Sequence, residues 1–306
     1  GWLVTDRPMD VSVHEPMAAD RLPGPPESGL GGSPPGQVGL QDLTARPQSL
    51  AIPRQPDRLA AAVLLLVLSL AAAFRFLGVD WDAGQHLHPD ERFLTMVTTA
   101  LAPPESPYQY FDTQASQLNP RNVGYELFVY GTLPINLVYF VARAWDRTSY
   151  GDVYLVGRQL MAVFDLLAIV VLYLLGRELY GRRVGLVAAF LAACTAFLIQ
   201  QAHFFTVDSA ANFFVMLFLL AAVHMMRRGN GVSIAVAGAA LGLALASKVS
   251  IWPLAPLAVL GLFVSERHRG LLRTRDGVSR WVLEALLLGL AAFLTLRVAQ
   301  PDMWAG

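Results

Sequence analysis

Between Leu59 and Val79 the chain reads "LAAAVLLLVLSLAAAFRFLGV", 21 residues containing a single charge, Arg75. A bilayer core about 30 Å thick needs roughly 20 apolar residues of helix to cross it. Nothing but a helix or a closed barrel can satisfy backbone groups there. Six further runs follow: Gln159 to Leu175, Val184 to Ile199, Ser209 to Met226, Gly231 to Ser247, Ile251 to Val264 and Trp281 to Ala299. The pattern predicts an all-α polytopic membrane protein with about seven transmembrane helices. Composition agrees, because only 15% of residues are charged against about 25% in soluble domains. Zero formal net charge gives no reason to expect nucleic acid as a partner. The lone cysteine, Cys194, lies in an apolar run and reads as a small buried thiol.

Residues 1–58 hold ten of the nineteen prolines and no long apolar run. They cannot bury enough surface to offset the entropy of ordering, so a disordered tail is expected. They also lack the basic and apolar regions of a signal peptide. The chain starts at Gly1 and stops at "QPDMWAG" just after an apolar run, and is expected to be a window of a longer protein. The expected division is therefore a tail (1–58), a transmembrane module (59–299) and a short external end (300–306).

An eighth run, Leu127 to Ala142, is interrupted by Gly131 and Pro134, and whether it crosses decides the sidedness of everything beyond it. If it does not, one side collects Arg177, Arg182, Arg183, Arg227, Arg228, Arg267, Arg269, Arg273, Arg275 and Arg280. The opposite side receives only Lys248 in its short loops. Basic residues in short loops favour the cytoplasm, so the run is expected to be re-entrant or to lie on the surface. The tail is then cytoplasmic and residues 80–158 form one large external loop.

That loop opens with "GQHLHPDERF", Gly84 to Phe93. Pro89 suits the first position of a helix, and Phe93, Met96, Val97, Ala100 and Leu101 then repeat at helical spacing, an amphipathic helix apt to lie on the bilayer. Asp90 and Glu91 could simply offset the dipole of the first turn, although one acid suffices for that. His86 and His88, two apart in an extended stretch, would face the same way, as a metal site could use. Tyr108, Tyr110, Phe111, Tyr125, Tyr130 and Tyr139 suit an interfacial belt or stacking on a sugar ring.

More polar groups gather at the outer ends of the spans. Lys248 is the only lysine in the chain and closes a helix whose Gly238 and Gly242 form a small-xxx-small pair. A lysine there could snorkel or offer an outward-facing anion site. "QQAHFFTVDSA" brings His203 and Asp208 to the same side. Arg158 and Asp165 lie on one face of the second span, where they could pair with each other or serve function. Arg75 is expected to snorkel. Carboxylates and cations at one membrane face suit chemistry on a lipid-linked anion, with a base for an acceptor and cations for a departing phosphate. A transporter or flippase of a lipid-linked anion is the alternative.

The order of "HPDERF", "YGTLP", "GRQLMAVFDLLAIVVLYLLGRELYGRRVGLVAAFL", "QAHFFTVDSA" and "GLALASK" resembles the C-type multi-spanning glycosyltransferases. The nearest kinship is with the family 39 protein mannosyltransferases and related bacterial enzymes, including the aminoarabinose transferases. The resemblance covers roughly Arg58 to Arg297. It implies a seven-span N-terminal module and inverting transfer of a sugar from a polyprenyl-phosphate donor to a protein, lipid or glycan acceptor at the external face of the plasma membrane. It further implies Asp90 as catalytic base and Glu91 as an acceptor- or metal-interacting acid. Lys248 and Arg158 become contacts for the donor phosphate, with Asp208, His203 and His88 in support. A divalent metal ion is a possible cofactor, with Glu91, His86 and His88 as its candidate ligands. The chain departs from the family pattern in having no soluble external domain and in adding His86 and His88.

Overall fold

The computed structural model describes residues 57–265 and 274–304, which belong to one compact unit, Arg54–Gly306. The expected tail, apart from Asp57 and Arg58, lies outside the described residues, as do Arg267, Arg269 and Arg273. Among the described residues every regular element is helical.

The seven apolar runs all become helix. They are α1 (Asp57–Phe76), α5 (Tyr150–Tyr180), the pair α6 (Arg182–Cys194) and α7 (Ala196–Ala202), α8 (Asp208–Arg228), α9 (Gly231–Ser247), α10 (Leu254–Val264) and α11 (Arg275–Ala299). Between α1 and α5 lie α2 (Pro89–Ala100), α3 (Pro107–Phe111) and α4 (Leu133–Ala144). Four helices (α1, α5, α8 and α11) are long and apolar enough to cross a bilayer, and α6 with α7 makes a fifth if the bent pair is one span. α9, at 17 residues, and α10, at 11, are shorter. α4 has 12 residues, about 18 Å at the usual helical rise. That is too short to cross, as Gly131 and Pro134 lead one to expect.

α9 packs between α8 and α11, and α5 packs between α6 and α8. The first contact depends on small residues. A Cβ on Gly238 would lie 2.4 Å from Leu288 O, and one on Gly242 2.5 Å from Ala292 O, so the two backbones approach as the small-xxx-small pair predicts. One apolar cluster joins the segment between α1 and α5 to the bundle: Leu94 and Val97 of α2, Ile135 and Val138 of α4, and Val156 of α5 pack with Phe205. α2 is therefore built into the protein, with Glu91, Leu94, Thr95, Val97 and Thr98 buried. The expected bilayer-facing stripe is broken up, since Val97 and Leu101 are buried against protein and Phe93 turns to Tyr125, Phe128 and Tyr130.

At one end of the bundle the ends of α1 and α7, the starts of α2, α5 and α8, and the last residues of α9 come together. The end of α11 is tied to the same region by hydrogen bonds from Tyr110 Oη to Val298 O and from Thr132 Oγ1 to Asp302. Arg227 and Glu178 pair at the opposite end. Cys194 is exposed on α6, not buried.

Candidate active site

Pro89 starts α2 and His88 caps it, its Nδ1 accepting from the Glu91 amide at 3.4 Å. His88 packs its ring on Phe204. His86 takes a positive φ of 47°, which turns it away from His88 and sets its ring between Tyr150 and Tyr154. The two histidines thus do not face the same way, because the stretch between them is kinked and not extended. Glu91 is fully committed elsewhere, and among the described residues no three His, Cys, Asp or Glu side chains form a group suited to a metal ion.

Glu91 is 0% exposed and receives Arg158 through Nε at 2.7 Å and Nη2 at 2.8 Å. Its Oε1 also accepts the Phe205 amide at 3.0 Å. Arg158, itself 0% exposed, donates further to Asp82 at 2.9 Å and to Val79 O at 2.7 Å, with its guanidinium over the rings of Tyr154 and Trp81. Burial pushes the Asp82 carboxyl up, but the hydrogen bond from Arg158, the Leu87 amide and the Arg158 charge outweigh it and hold the group below the usual carboxylate range. A buried bidentate guanidinium of this kind fixes geometry. Here it fixes the first turn of α2, and so the position of Asp90. Arg158 is fully engaged by these partners, and the pairing with Asp165 that the sequence left open does not form. Asp165 instead takes Arg75, which is 0% exposed and does not snorkel. A guanidinium with carbonyls and a carboxylate at hand inside the bundle needs no water.

Asp90, adjacent to Glu91 but only half-buried, lies close enough to Tyr130 for its charge to act on the phenol. Burial raises the pKa of Tyr130, and the charge of Asp90, its hydrogen bond and the charge of Asp208 raise it further. Tyr130 therefore stays a neutral phenol between two carboxylates. Its place is set by Gly131, where an added Cβ would lie 2.0 Å from Ala246 O. The "YGT" backbone is pressed onto the last turn of α9, one residue before Ser247 and Lys248. Lys248 Nζ binds Asp208 Oδ1 at 2.5 Å, both side chains 36% exposed.

A cavity of about 480 Å³ opens beside this pair. Asp208, Lys248, Asn212, Gln201, Ser209 and Asp165 supply its polar groups; Phe197, Leu198, Val215 and Ile251 contribute most of its apolar wall. A second cavity of about 380 Å³ is lined by Tyr130 together with Arg121, Phe128, Gln300 and Asp302 among others. Of the residues expected from sequence, Asp208 and Lys248 line one cavity and Asp90 lies near Tyr130, which lines the other, whereas Glu91 and Arg158 form a buried ion pair next to Asp90 in the first turn of α2. His203 joins α7 to α1 through Ile199 O at 2.8 Å and Leu77 O at 3.0 Å. Asp82 carried no signal in the sequence, and Tyr130 carried one only as an interfacial or sugar-stacking aromatic and as part of "YGTLP".

Residues 137–297 match the family model of dolichyl-phosphate-mannose-protein mannosyltransferases. No curated protein matches the chain. Among solved structures, the protein O-mannosyltransferase Pmt1–Pmt2 complex of S. cerevisiae, bound to the sugar donor, superposes with a TM-score of 0.58 at 17% identity. That match covers 78% of this chain and 33% of the yeast one. The oligosaccharyltransferase AglB of Archaeoglobus fulgidus, in complex with an inhibitory peptide and a dolichol-phosphate, gives a TM-score of 0.51 at 17% identity. It covers 79% of this chain and 33% of the archaeal one. The chain thus spans about a third of the length of these two proteins, and at such identity the likeness concerns the fold.

Proposed function

Since this chain belongs to the dolichyl-phosphate-mannose-protein mannosyltransferase family, we propose that it is the donor-binding and catalytic module of a membrane glycosyltransferase that uses a polyprenyl-phosphate sugar. The observation that carries this reading is the Lys248–Asp208 pair set in the wall of a largely apolar cavity, with Asp90 and Asp208 both near enough to Tyr130 for their charges to act on its phenol. A lipid-linked anion fits that combination: the chain's apolar part lies along Phe197, Leu198 and Val215, and its phosphate lies against Lys248. Two of the solved relatives were captured with a sugar donor and with a dolichol-phosphate, which agrees with this choice of ligand.

The acceptor enters on the flank of Asp90. Its hydroxyl proton passes to the Asp90 carboxylate as its oxygen bonds to the anomeric carbon, opposite the phosphate. The bond from that carbon to the phosphate oxygen breaks, and the phosphate leaves with the electron pair, inverting the centre. Lys248 stabilises the charge that builds on the leaving phosphate, which helps the transition state more than the bound donor. Asp208 holds Lys248 in place, and Tyr130 orients Asp90. Glu91 and Arg158 act behind Asp90 as positioning residues. The short α9, and α10 extended back through the 3-10 turn Val249–Ile251 into the apolar stretch Val249–Val264, cross the bilayer along with the longer helices, making seven spans. The site end faces the outside of the plasma membrane and the N-terminus the cytoplasm, because the arginines crowd the opposite end.

The test is incubation of the full-length protein in membranes with a panel of polyprenyl-phosphate sugars and acceptors, following release of polyprenyl phosphate. Asp90→Asn keeps the shape of the side chain but removes the base, so turnover falls by about 10²-fold or more. Lys248→Met lowers turnover and also weakens donor binding. Wild-type rates in a folded Asp90→Asn protein would remove Asp90 from the reaction.

A further inference from the structure

The 62° bend between α6 and α7 falls within "AFLAACTAFLIQQA", Ala189 to Ala202, which contains neither Pro nor Gly. Sharp bends without those residues arise where another group enters the helical hydrogen-bond ladder. The groups that enter are two. Arg75, reaching over from α1, donates through Nη1 to Ala193 O at 3.0 Å and through Nη2 to Ala192 O at 3.2 Å. The Thr195 hydroxyl donates to Leu191 O at 2.7 Å. A helix end leaves four carbonyls without intrahelical partners, and side chains meet three of them here. Asp165 of α5 binds Arg75 Nε and neutralises it; both residues are almost completely buried, at 0% and 2% exposure. Beyond the bend, α7 supplies Phe197, Leu198 and Gln201 to the 480 Å³ cavity, and Asp165 reaches the same wall from the other side.

Resting on the donor reading above, we infer that Arg75 and Asp165 are positioning residues for the lipid part of the donor. They hold the α6–α7 break, and the break sets the apolar wall against which the polyprenyl units next to the phosphate lie. A buried ion pair contributes little net stability on average, whereas removal of one partner strands a charge. A pair of this kind joining three helices at a bend acts through the geometry it imposes.

The test uses full-length protein in nanodiscs and polyprenyl phosphate itself as the probe. The double variant Arg75→Gln/Asp165→Asn removes both charges and strands neither. Hydrogen exchange over residues 191–202 should rise in it without ligand, and polyprenyl-phosphate affinity should fall by about tenfold, equivalent to 1.4 kcal/mol. The loss should appear in KM for the donor more than in kcat. Thr195→Val, which alters one carbonyl contact and no charge, should shift KM the same way by a smaller factor, and serves where the double variant does not fold. Wild-type exchange and wild-type affinity in the folded double variant, or an unshifted KM in Thr195→Val, would overturn the assignment. Raised exchange in the variant, with a wild-type protein that binds no polyprenyl phosphate, would instead overturn the donor reading and leave the bend explained.

Discussion

Adjacent carboxylates at one helix start end in opposite environments, and the difference lies in what each faces. Glu91 is enclosed by Arg158 and the Phe205 amide, whereas Asp90 is only half-buried, near the Tyr130 phenol. Both were legible as acids in excess of what a helix cap requires. Their division of labour was not, because it depends on Asp82 and Arg158 arriving from sequence positions far apart. The same holds for Arg75, whose partners lie on two other helices, so that a position near the end of an apolar run could not reveal its burial. The geometry makes a sharp prediction for the pair behind Asp90. Glu91→Ala alone leaves Arg158 short of its closest partner, and unfolding free energy should fall by about 3–5 kcal/mol, the usual result of breaking a buried ion pair. The double change Glu91→Leu/Arg158→Met leaves only Asp82 in excess, and should recover part of that loss while activity stays low, because Asp90 is no longer held. Denaturation monitored in detergent, together with turnover for each variant, separates the two effects. Full activity in the stable double variant would show that Asp90 needs no such support.

The helices themselves were readable because the bilayer imposes a simple rule: a run of about 20 apolar residues must satisfy its backbone internally. Length, glycine pattern and the interruption at Gly131 and Pro134 carried the elements correctly through the bundle. What hydropathy could not supply was direction within an element. The stripe on α2 reads as bilayer-facing, yet the packed side is the one carrying Glu91, Leu94 and Thr98, since an ion pair and an aromatic cluster compete with lipid for the same helix. The break at Thr195 is also invisible in hydropathy, for both halves are apolar. The "YGT" segment is the element on which the candidate site depends most. Its glycine sits where a methyl group would collide with the backbone of α9, and backbone cannot swing aside as a side chain can. Gly131→Ala should therefore lift the segment, withdraw Tyr130 from Asp90 and reduce turnover at least as much as Tyr130→Phe. Overpacking of this sort costs about 1–3 kcal/mol. The protein should still fold, so the comparison is of turnover at equal amounts of folded enzyme. Equal activity in Gly131→Ala and wild type would mean that the placement of Tyr130 is immaterial.

At the scale of the whole molecule the two ends of the bundle differ in chemistry. One collects Asp90, Asp208, Lys248 and the charged anchor of Arg158; the other carries Arg177, Arg183, Arg227 and Arg228, with Glu178 paired to Arg227. Arginines in short loops resist translocation, which supports the proposed orientation, with the second end cytoplasmic and the site outside. This assignment depends on α4 not crossing. At 12 residues it cannot span, and its buried positions, including Ile135, Val138 and Ala142, pack against protein on the site end. Reporter cysteines in a Cys194→Ser background test it directly. Ser106, at the exposed start of α3, and Arg183, exposed at the start of α6, lie at opposite ends of the bundle. In intact cells an impermeant thiol reagent should label Ser106→Cys and leave Arg183→Cys untouched until the membrane is opened with detergent. The reverse pattern would place the cavity on the cytoplasmic side, where the donor phosphate and acceptor would have to be supplied from within. Labelling of both in intact cells would mean that α4, or one of the short helices α9 and α10, does not sit in the membrane as the charge pattern requires.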